Sequence, residues 1–322
     1  MSVALLFSPQ GSQTVGMGSA VAGASAAARV VYERADRALN WAVSTVCWDG
    51  PAERLNDTRQ TQPCLVTTSL ACLEALREAM TARGQSLRPT RVAGHSVGEY
   101  AALVAAGVVS LEEGLRLVAL RGELMAAAGI EGGMSAVIGL DRPAVAAAVA
   151  GIAGLVVAND NAPGQVVISG IQAALSAAEA PLAAAGARRT IRLNVSGPFH
   201  SPLMVDVGRA LSSAFAETPW ADADPPVVSN VTAEPVRAAA SIRELLARQV
   251  SSPVEWVASV RRMVADGIDT FVECGPGAAL TGMVRRISPA VRTLNVADPA
   301  SVAAAADALA GAGSMAEASA SG

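Results

Sequence analysis

The sequence contains no lysine, because all 24 of its basic residues are arginines. This absence excludes enzymes that hold pyridoxal phosphate on a lysine, and it excludes P-loops, which place a lysine on the phosphates. Histidine is nearly as scarce, since His95 and His200 are the only two in 322 residues. Any chemistry that needs an imidazole therefore depends on one of these two side chains.

Cysteine is also sparse, and the four residues have no zinc-binding spacing: Cys47, Cys64, Cys72 and Cys274. Scattered thiols of this kind are usually buried, and they favour a reducing compartment such as the cytoplasm. No apolar run is long enough to span a bilayer, and residues 1–7 indicate a first buried strand rather than a signal peptide. The net charge of −4 argues against a nucleic-acid-binding protein.

Strand-like runs alternate with alanine-rich helical runs, which is typical of an α/β fold. Residues 130–195 have an order of their own, strand–helix–strand–strand–helix–strand, which is the ferredoxin-like unit. We therefore predict an α/β body made of residues 1–129 and 196–298, with the ferredoxin-like unit inserted as a small subdomain.

Two segments are predicted to be irregular. Residues 159–164 contain Asn, Asp, Pro and Gly and are predicted to form a loop between the two middle strands of the inserted unit. Residues 299–322 form a tail rich in alanine, glycine and serine, for which we expect disorder from about residue 311.

Ser96 is the central residue of Gly-His-Ser-Val-Gly (residues 94–98), which follows a predicted strand at 91–93. In that context the pattern Gly-x-Ser-x-Gly predicts a sharp strand-to-helix turn that exposes a serine hydroxyl. A base must take the proton before the hydroxyl becomes a good nucleophile. Because His95 is poorly placed to reach its own neighbour, the candidate base is His200. The alternatives are a structural turn and a loop histidine with a backbone partner.

A complete Ser-His-Asp triad is not evident. An ordinary α/β-hydrolase has its acid between the serine and a histidine near the chain end. Here more than 100 residues follow His200, and an acid preceding it would have to come from the inserted unit. A backbone or amide oxygen is therefore an alternative partner for His200.

Arg121 lies in a helix that the capping box of Ser110 and Glu113 predicts to reach about residue 128. Apolar residues three and four positions away, Leu117 and Val118, share its face. Because a lone buried charge is costly, Arg121 needs a partner. The alternatives are a protein carboxylate, a side chain that reaches solvent, and the carboxylate of a substrate.

Two turns follow predicted strands at other points of the chain. Gln10 and Gln13 flank a Gly-Ser turn after the first strand, where a backbone N–H could hold an oxyanion; a polar surface loop is the alternative. Residues 275–277, Gly-Pro-Gly, favour a simple strand-to-helix turn over a helix start that binds phosphate.

The separated motifs, taken in order from Val3 to about Ile287, resemble those of the malonyl-CoA:acyl carrier protein transacylases. The related acyltransferase domains of fatty acid and polyketide synthases share them. The motifs are Gln10-Gly11-Ser12-Gln13, Thr61-Gln62-Pro63, Gly94-His95-Ser96-Val97-Gly98-Glu99-Tyr100, Arg121-Gly122, Asn161-x-Pro163-Gly164-Gln165-Val166-Val167-Ile168-Ser169-Gly170, Gly197-Pro198-Phe199-His200, Arg248-Gln249, Gly275-Pro276-Gly277 and Leu280-Thr281-Gly282.

The resemblance implies an α/β-hydrolase-like large subdomain with an inserted ferredoxin-like subdomain. It also implies that Ser96 is the nucleophile, that His200 is the base and that Gln249 orients His200. One departure is Ser8-Pro9, where the family usually has Pro-Gly; this puts the shape of the following loop in doubt.

The resemblance further implies how the substrate is held. Arg121 would clamp the free carboxylate of malonyl, and the backbone amides of Gln10 and Val97 would form the oxyanion hole. Phe199 and Asn161 would lie in the substrate pocket, and Phe199 is similar to the malonyl-selective pattern.

The implied activity is transfer of malonyl from malonyl-CoA to the phosphopantetheine thiol of acyl carrier protein, through a malonyl-serine. No metal or redox cofactor is implied, and we expect a monomer. The alternatives are a free-standing polyketide acyltransferase with another acyl-CoA, an acyl-thioester hydrolase and a catalytically silent carrier-binding module. Since carrier proteins of this kind are acidic, a basic docking patch is expected, with these candidates: Arg188, Arg189, Arg192, Arg285 and Arg286.

Overall fold

The computed structural model describes the backbone of residues 1–320 and the side chains of residues 1–311. In chain order the strands are β1 (Val3–Phe7), β2 (Arg91–Gly94), β3 (Gly132–Ile138), β4 (Leu155–Ala162), β5 (Gln165–Ile171), β6 (Arg189–Arg192), β7 (Val227–Val228), β8 (Pro235–Val236), β9 (Thr270–Cys274) and β10 (Arg292–Val296). The helices are α1 (Ser19–Ala24), α2 (Ala26–Leu39), α3 (Val43–Trp48), α4 (Ala52–Leu55), α5 (Thr58–Thr81), α6 (Gly98–Ala105), α7 (Leu111–Ala127), α8 (Arg142–Ala148), α9 (Gln172–Ala184), α10 (Val205–Ala216), α11 (Ala239–Gln249), α12 (Trp256–Ala265), α13 (Ala279–Ile287) and α14 (Pro299–Ala320).

The larger sheet has the strand order β10-β9-β1-β2-β7-β8, and every neighbouring pair is parallel except β7 with β8. In its central strand β1, Leu5 and Phe7 pack into one apolar cluster, whereas Ala4 and Leu6 pack into another. Successive strand side chains point to opposite faces, so both faces of this sheet are covered. This burial on both sides explains the uninterrupted apolar run at the start of the sequence.

The smaller sheet has four antiparallel strands in the order β4-β5-β3-β6. Helices α8 and α9 pack on it through an apolar cluster that includes Val137, Val145 and Leu175. The predicted α/β body with an inserted ferredoxin-like unit is therefore confirmed. The strands of this unit lie within residues 130–195, and those exact limits stay a prediction.

The predicted loop at residues 159–164 is wrong. Strand β4 continues to Ala162, and only Pro163 and Gly164 form the turn to β5. Its pairing with β5 shifts register twice, between Val157 and Asn159 and between Asp160 and Ala162. Such bulges redirect side chains while the strand continues. They explain how a polar run that suggests a loop is held inside a sheet.

The C-terminal segment begins as part of the body. Helix α14 starts at Pro299 and buries Val302, Ala305 and Leu309 in the main apolar cluster. The disorder expected from about residue 311 falls on positions whose side chains, or whose backbone at 321–322, lie outside the described residues. It therefore stays a prediction. Throughout residues 1–320, every helix is either too short or too polar to cross a membrane.

Strand pairing in the larger sheet brings three loops to one edge. Phe7 at the end of β1 pairs with Gly94 of β2 on one side and with Cys274 of β9 on the other. Because these strands are parallel, the loops that follow them start side by side, where α/β sheets bind ligands. Met134 and Val167 of the smaller sheet face the same space across from these loops.

Candidate active site

Ser96 lies at the tip of the turn between β2 and α6, in left-handed backbone conformation (φ 52°). Glycine is required on both sides of it. A Cβ on Gly94 would overlap the main chain of Gly98, and a Cβ on Gly98 would overlap the carbonyl oxygen of Phe7. The local sequence thus packs the turn tightly against β1 and holds a non-glycine residue in a strained conformation, which is a common feature of functional sites.

His200 lies next to Ser96 although it follows it by 104 positions in the chain. The Oγ atom of Ser96 is 2.7 Å from Nε2 of His200. On the other side of the ring, Nδ1 donates to the main-chain oxygens of Gln249 at 3.0 Å and Ser252 at 3.2 Å. Two carbonyl acceptors at Nδ1 place the proton there, so Nε2 is free to accept the serine proton.

His200 is therefore oriented by main-chain oxygens, which is one of the alternatives left open when the sequence showed no acid for a triad. Within residues 1–311, no carboxylate oxygen lies within 4.0 Å of a His200 nitrogen. Gln249 does contact His200 as the resemblance implied, but through its carbonyl oxygen rather than its side chain.

Burial strongly affects the basicity of His200. The side chain is 3% exposed, and this burial, together with the positive charge of Arg121, lowers the pKa of His200 to about 3. The imidazole is therefore neutral at physiological pH, which is the state that a general base requires.

Arg121 is fully buried beside the same serine. Its Nη1 donates to Gln62 Oε1 at 2.7 Å, and its Nη2 donates to Ser96 Oγ at 3.1 Å and to Gln249 Oε1 at 3.0 Å. No carboxylate in the described side chains lies within 4.0 Å of this guanidinium, and its Nε–H has no hydrogen-bond partner there. Of the alternatives left open, an ion pair within the protein and a solvent-reaching side chain are both excluded.

The side-chain amide of Gln249 joins these groups to a buried carboxyl. Its Nε2 donates to the main-chain oxygen of Ser96 at 2.9 Å and to Glu99 Oε2 at 2.6 Å. Glu99 is only 3% exposed, and burial raises its pKa to about 7. The sequence pointed to neither the buried carboxyl nor the position of the amide between Glu99 and Arg121.

The backbone N–H groups of Gln10 and Val97 have no hydrogen-bond partner within residues 1–311. Each lies three residues after a strand residue, Phe7 or Gly94, and those two residues pair in the sheet. Two free N–H groups on adjacent loops are the usual components of an oxyanion hole. The Ser96 N–H is not available for this role, because it donates to Asn230 Oδ1 at 2.7 Å.

Asn230 is a site residue that the sequence did not reveal. It is fully buried in the turn after β7, where its Nδ2 also donates to the Gly94 oxygen at 2.7 Å. One side chain thus holds the serine turn on both sides. No local motif marks Asn230, because its neighbours in space come from a different strand.

A cavity of about 420 Å³ opens in front of Ser96 and His200. Phe199 and Asn161 both line it, as the resemblance implied, and Gln10 lines it from the opposite loop. Arg121 reaches the cavity only behind Ser96 and is not part of its wall. The wall is formed by Pro9, Gln10, Gly11, Ser12, Gln13, Asn56, His95, Ser96, Met125, Met134, Ala136, Asn159, Asn161, Gln165, Val167, Leu193, Asn194, Val195, Phe199, His200, Ala279 and Met283.

His95 connects the serine turn to the smaller sheet. Its Nε2 lies 2.8 Å from Asn161 Oδ1, and its ring packs edge-on against Trp256 with centroids 5.4 Å apart. Burial lowers the pKa of His95 to about 4. Within the described residues its ring makes no hydrogen bond to Ser96, so the elimination that selected His200 agrees with the structure.

Three further predictions concern the cysteines, the docking arginines and a metal site. All four cysteines are buried free thiols, as expected. Of the candidate docking arginines, Arg192 pairs with Glu179 at 3.2 Å and Arg286 contacts Gln165 at the cavity wall. The docking patch stays a prediction. In the part of the chain that the structure describes, no group of three His, Cys, Asp or Glu side chains is arranged to hold a metal ion.

Comparison with known proteins agrees with this geometry. Residues 4–309 match the family described as the acyl transferase domain. The chain is 40% identical over 306 residues to the malonyl CoA-acyl carrier protein transacylase of Bacillus subtilis (strain 168), covering 93% of this chain and 95% of that protein. The malonyl-CoA:acyl carrier protein transacylase structure from Xanthomonas oryzae pv. oryzae matches with TM-score 0.90 and 40% identity, over 96% of this chain and 99% of that chain.

One similar structure contains a carrier protein. It is the holo complex of a type II polyketide synthase acyl-carrier protein with its malonyl-transacylase. That match has TM-score 0.90 and 36% identity, and it covers 95% of this chain and 99% of that chain.

Proposed function

Because the chain belongs to the acyl transferase domain family, we propose that it transfers a malonyl group from malonyl-CoA to the phosphopantetheine thiol of acyl carrier protein. The observation that carries this proposal is the meeting of Ser96 Oγ with His200 Nε2 at 2.7 Å and with Arg121 Nη2 at 3.1 Å. It joins a nucleophile, a neutral base and a buried cation in one place.

In the first half-reaction, His200 takes the proton of Ser96 while Oγ attacks the thioester carbonyl carbon. The oxyanion lies between the free N–H groups of Gln10 and Val97, each worth about 3 kcal/mol in the transition state. The C–S bond then breaks, CoA leaves as its thiol with the proton from His200, and a malonyl-serine remains.

In the second half-reaction, the carrier thiol gives its proton to His200 and attacks the ester carbonyl. The C–O bond breaks, Ser96 recovers its proton, and the malonyl group leaves on the carrier. Two successive acyl transfers through one serine give ping-pong kinetics.

Arg121 provides the preference for an acyl group that carries a carboxylate. Its Nε–H is buried without a partner, and Nη2 beside it donates to Ser96 Oγ. The same two donors of another arginine, Arg34, hold both oxygens of Glu112 at 2.8 Å in this protein. A malonyl carboxylate that replaces Ser96 Oγ at Nη2 would complete such a fork at Arg121 together with Nε–H, whereas an acetyl group would leave it empty.

Several finer points belong to the same proposal. The residues above supply nucleophile, base and oxyanion donors, so we propose catalysis without a metal or redox cofactor. We also propose that the protein is cytoplasmic, in line with four free thiols. We further propose that it is a monomer. Phe199 at the cavity wall supports malonyl over methylmalonyl, although one methyl group changes selectivity by only about 1–3 kcal/mol.

The test is intact-mass analysis after mixing with malonyl-CoA or acetyl-CoA, followed by addition of holo carrier protein. We expect malonylation of the parent protein, none in Ser96→Ala, and loss of the preference for malonyl in Arg121→Ala. Arg116→Ala is the matched control, since Arg116 lies on the same helix but is exposed and pairs with Glu113. Equal loading by both thioesters in the parent contradicts the role of Arg121. Release of free malonate faster than transfer indicates a hydrolase instead.

A further inference from the structure

Glu99 is a buried carboxyl that the reaction described above does not use. It lies in the first turn of α6, three residues after Ser96, and is 3% exposed. Within the described side chains, no arginine nitrogen lies within 4.0 Å of its oxygens. A carboxyl in such a place needs hydrogen-bond donors, because an unpaired buried carboxylate is costly.

Glu99 and the main-chain oxygen of Ser96 together determine how Gln249 is oriented, because both accept from its Nε2. A primary amide has a donor end and an acceptor end, whereas an ionised carboxylate only accepts. Since Glu99 Oε2 accepts from Gln249 Nε2 at 2.6 Å, the amide must present Oε1 on its opposite side. That oxygen accepts from Arg121 Nη2 at 3.0 Å.

The orientation of Gln249 in turn affects the guanidinium beside the nucleophile. Arg121 has two side-chain amide acceptors, Gln62 at Nη1 and Gln249 at Nη2. With Gln249 reversed, its NH₂ group would face Nη2, and two donors would oppose each other. The guanidinium would then lose one of the two contacts that hold its fork behind Ser96.

We propose that Glu99 is a positioning residue that fixes the amide of Gln249 and, through it, holds Arg121 where a carboxylated acyl group on Ser96 meets the guanidinium. This inference rests on the proposed function, because it explains how that site favours acyl groups with a carboxylate. Glu99 touches neither the acyl group nor the reacting atoms. Its side-chain partner is the amide of Gln249.

The test compares kcat/KM for loading from malonyl-CoA and from acetyl-CoA in the parent and in Glu99→Gln at pH 8, above the pKa of about 7 that burial gives Glu99. The substituted amide can donate as well as accept, so only the Ser96 main-chain oxygen still requires the NH₂ end of Gln249 to face it, and the orientation is held less firmly. We expect malonyl loading to fall about 10-fold or more, the effect of losing one hydrogen bond to a charged group, with acetyl loading changed far less. An equal fall with both substrates, or no fall, would overturn the proposal.

Glu273→Gln is the matched control. Glu273 is also a buried carboxyl. It lies in β9 of the larger sheet, and its oxygens accept from the N–H groups of Leu280 and Thr281. We expect this variant to lose thermal stability without changing the malonyl-to-acetyl ratio. A change of ratio as large as that of Glu99→Gln would show a general effect of buried charge and would overturn the proposal.

A second variant covers the case in which Glu99→Gln does not fold. Gln249→Leu removes the amide while keeping the main-chain oxygen that orients His200. We expect the same loss of malonyl preference, and in the double variant no further loss, because both changes break one chain of contacts. Fully additive losses, or an unchanged ratio in Gln249→Leu, would overturn the proposal. Failure of the parent protein to load any acyl group would instead contradict the proposed function.

Discussion

Two strand-to-helix turns at the same edge of the larger sheet have opposite designs. After β2, the turn around Ser96 leaves the N–H of Val97 without a partner among residues 1–311 and holds a side chain at its tip. After β9, Glu273 accepts the N–H groups of Leu280 and Thr281 at 3.0 and 2.7 Å. The first turn keeps donors free for a ligand, whereas the second satisfies them within the protein.

The comparison teaches that glycine content does not distinguish a functional turn from a structural one. In the second turn, Gly275 (φ 130°) is required because a Cβ would lie 2.5 Å from the Oγ atoms of Ser8 and Ser69. The difference lies in which backbone groups remain unpaired. The phosphate alternative for the Gly-Pro-Gly turn is disfavoured for this reason, since Glu273 already occupies the helix N-terminus.

The largest expected effect comes from Gly98→Ala, which breaks the first turn. The new Cβ overlaps the Phe7 carbonyl oxygen, so the turn must move and the protein should lose about 3 kcal/mol of unfolding free energy. Acylation of Ser96 should fall with it. Urea unfolding and intact-mass loading measure both effects.

The control for this variant is Gly282→Ala in α13. A Cβ there meets nothing within 4 Å, so replacement of a helical glycine should be neutral or stabilising by up to about 1 kcal/mol. If Gly98→Ala unfolded and loaded malonyl like the parent protein, the close approach of Gly98 to the Phe7 carbonyl oxygen would not be required.

Asn230→Ala should have the next largest effect on the first turn. It leaves the Ser96 N–H and the Gly94 oxygen buried without partners, at a cost of about 2–3 kcal/mol. We expect acylation to slow about 30- to 160-fold, the factor that the same free energy gives, because the nucleophile is no longer held in place. Single-turnover loading from malonyl-CoA measures this change.

Asn295→Ala is the counterpart in the second turn. Asn295 Nδ2 also donates to a glycine oxygen, that of Gly277, at 2.7 Å, but this site is exposed. We expect a small loss of stability and no change in acylation. Slower loading in Asn295→Ala would contradict the division of roles between the two turns.

Glu273→Gln should weaken the second turn alone. An amide keeps one acceptor oxygen but opposes one of the two N–H groups with its own NH₂, which costs about 1–3 kcal/mol. Calorimetric unfolding should show the loss, while the rate of malonyl loading stays that of the parent. A large fall in the loading rate would show that the second turn also supports the active site.

The smallest effect is expected from the titration of His200 by acid. Burial and Arg121 lower the pKa of His200 to about 3, so its neutral base form persists well below the ordinary pKa of 6.5. The loading rate should therefore show no falling limb near pH 6.5 due to His200. Stopped-flow loading between pH 5 and pH 8 tests this.

A second group must be separated from His200 in that measurement. Burial raises the pKa of Glu99 to about 7, so its carboxylate becomes protonated as the pH falls through 7 and no longer requires a donor from Gln249; malonyl loading should then fall. Glu99→Gln should abolish such a change. A falling limb near pH 6.5 that persists in Glu99→Gln would show that His200 titrates normally.

Much of this design could be predicted because its signals are local. The Gly-x-Ser-x-Gly turn, the capping box of Ser110, whose Oγ accepts from the Glu113 N–H at 3.2 Å, and the order of the inserted unit all depend on residues close in the chain. The pairing of Ser96 with His200 followed from the scarcity of histidine, which left a single candidate.

What could not be predicted depends on contacts between distant segments. Backbone carbonyls orient His200, and a carbonyl has no sequence signature. Asn230 reaches the site through the pairing of β2 with β7, which no motif encodes. Glu99 lies inside the motif around Ser96, but its contact with Gln249, a residue far along the chain, has no local signal. The loop expected at residues 159–164 was wrong because paired bulges stabilise polar residues within a strand.

The register of two buried strands has a consequence for the chemistry. Gln10 and Val97 keep their mutual offset because Phe7 pairs with Gly94. Sliding β2 by one residue along β1 would exchange the faces of every β2 side chain and separate the two donors by one peptide step. The distance between the two N–H groups is thus set by the pairing of β1 with β2 and not by either loop. Substitutions in the apolar interior of β1 that change this pairing would therefore weaken the stabilisation of the oxyanion, even though they lie far from any substrate.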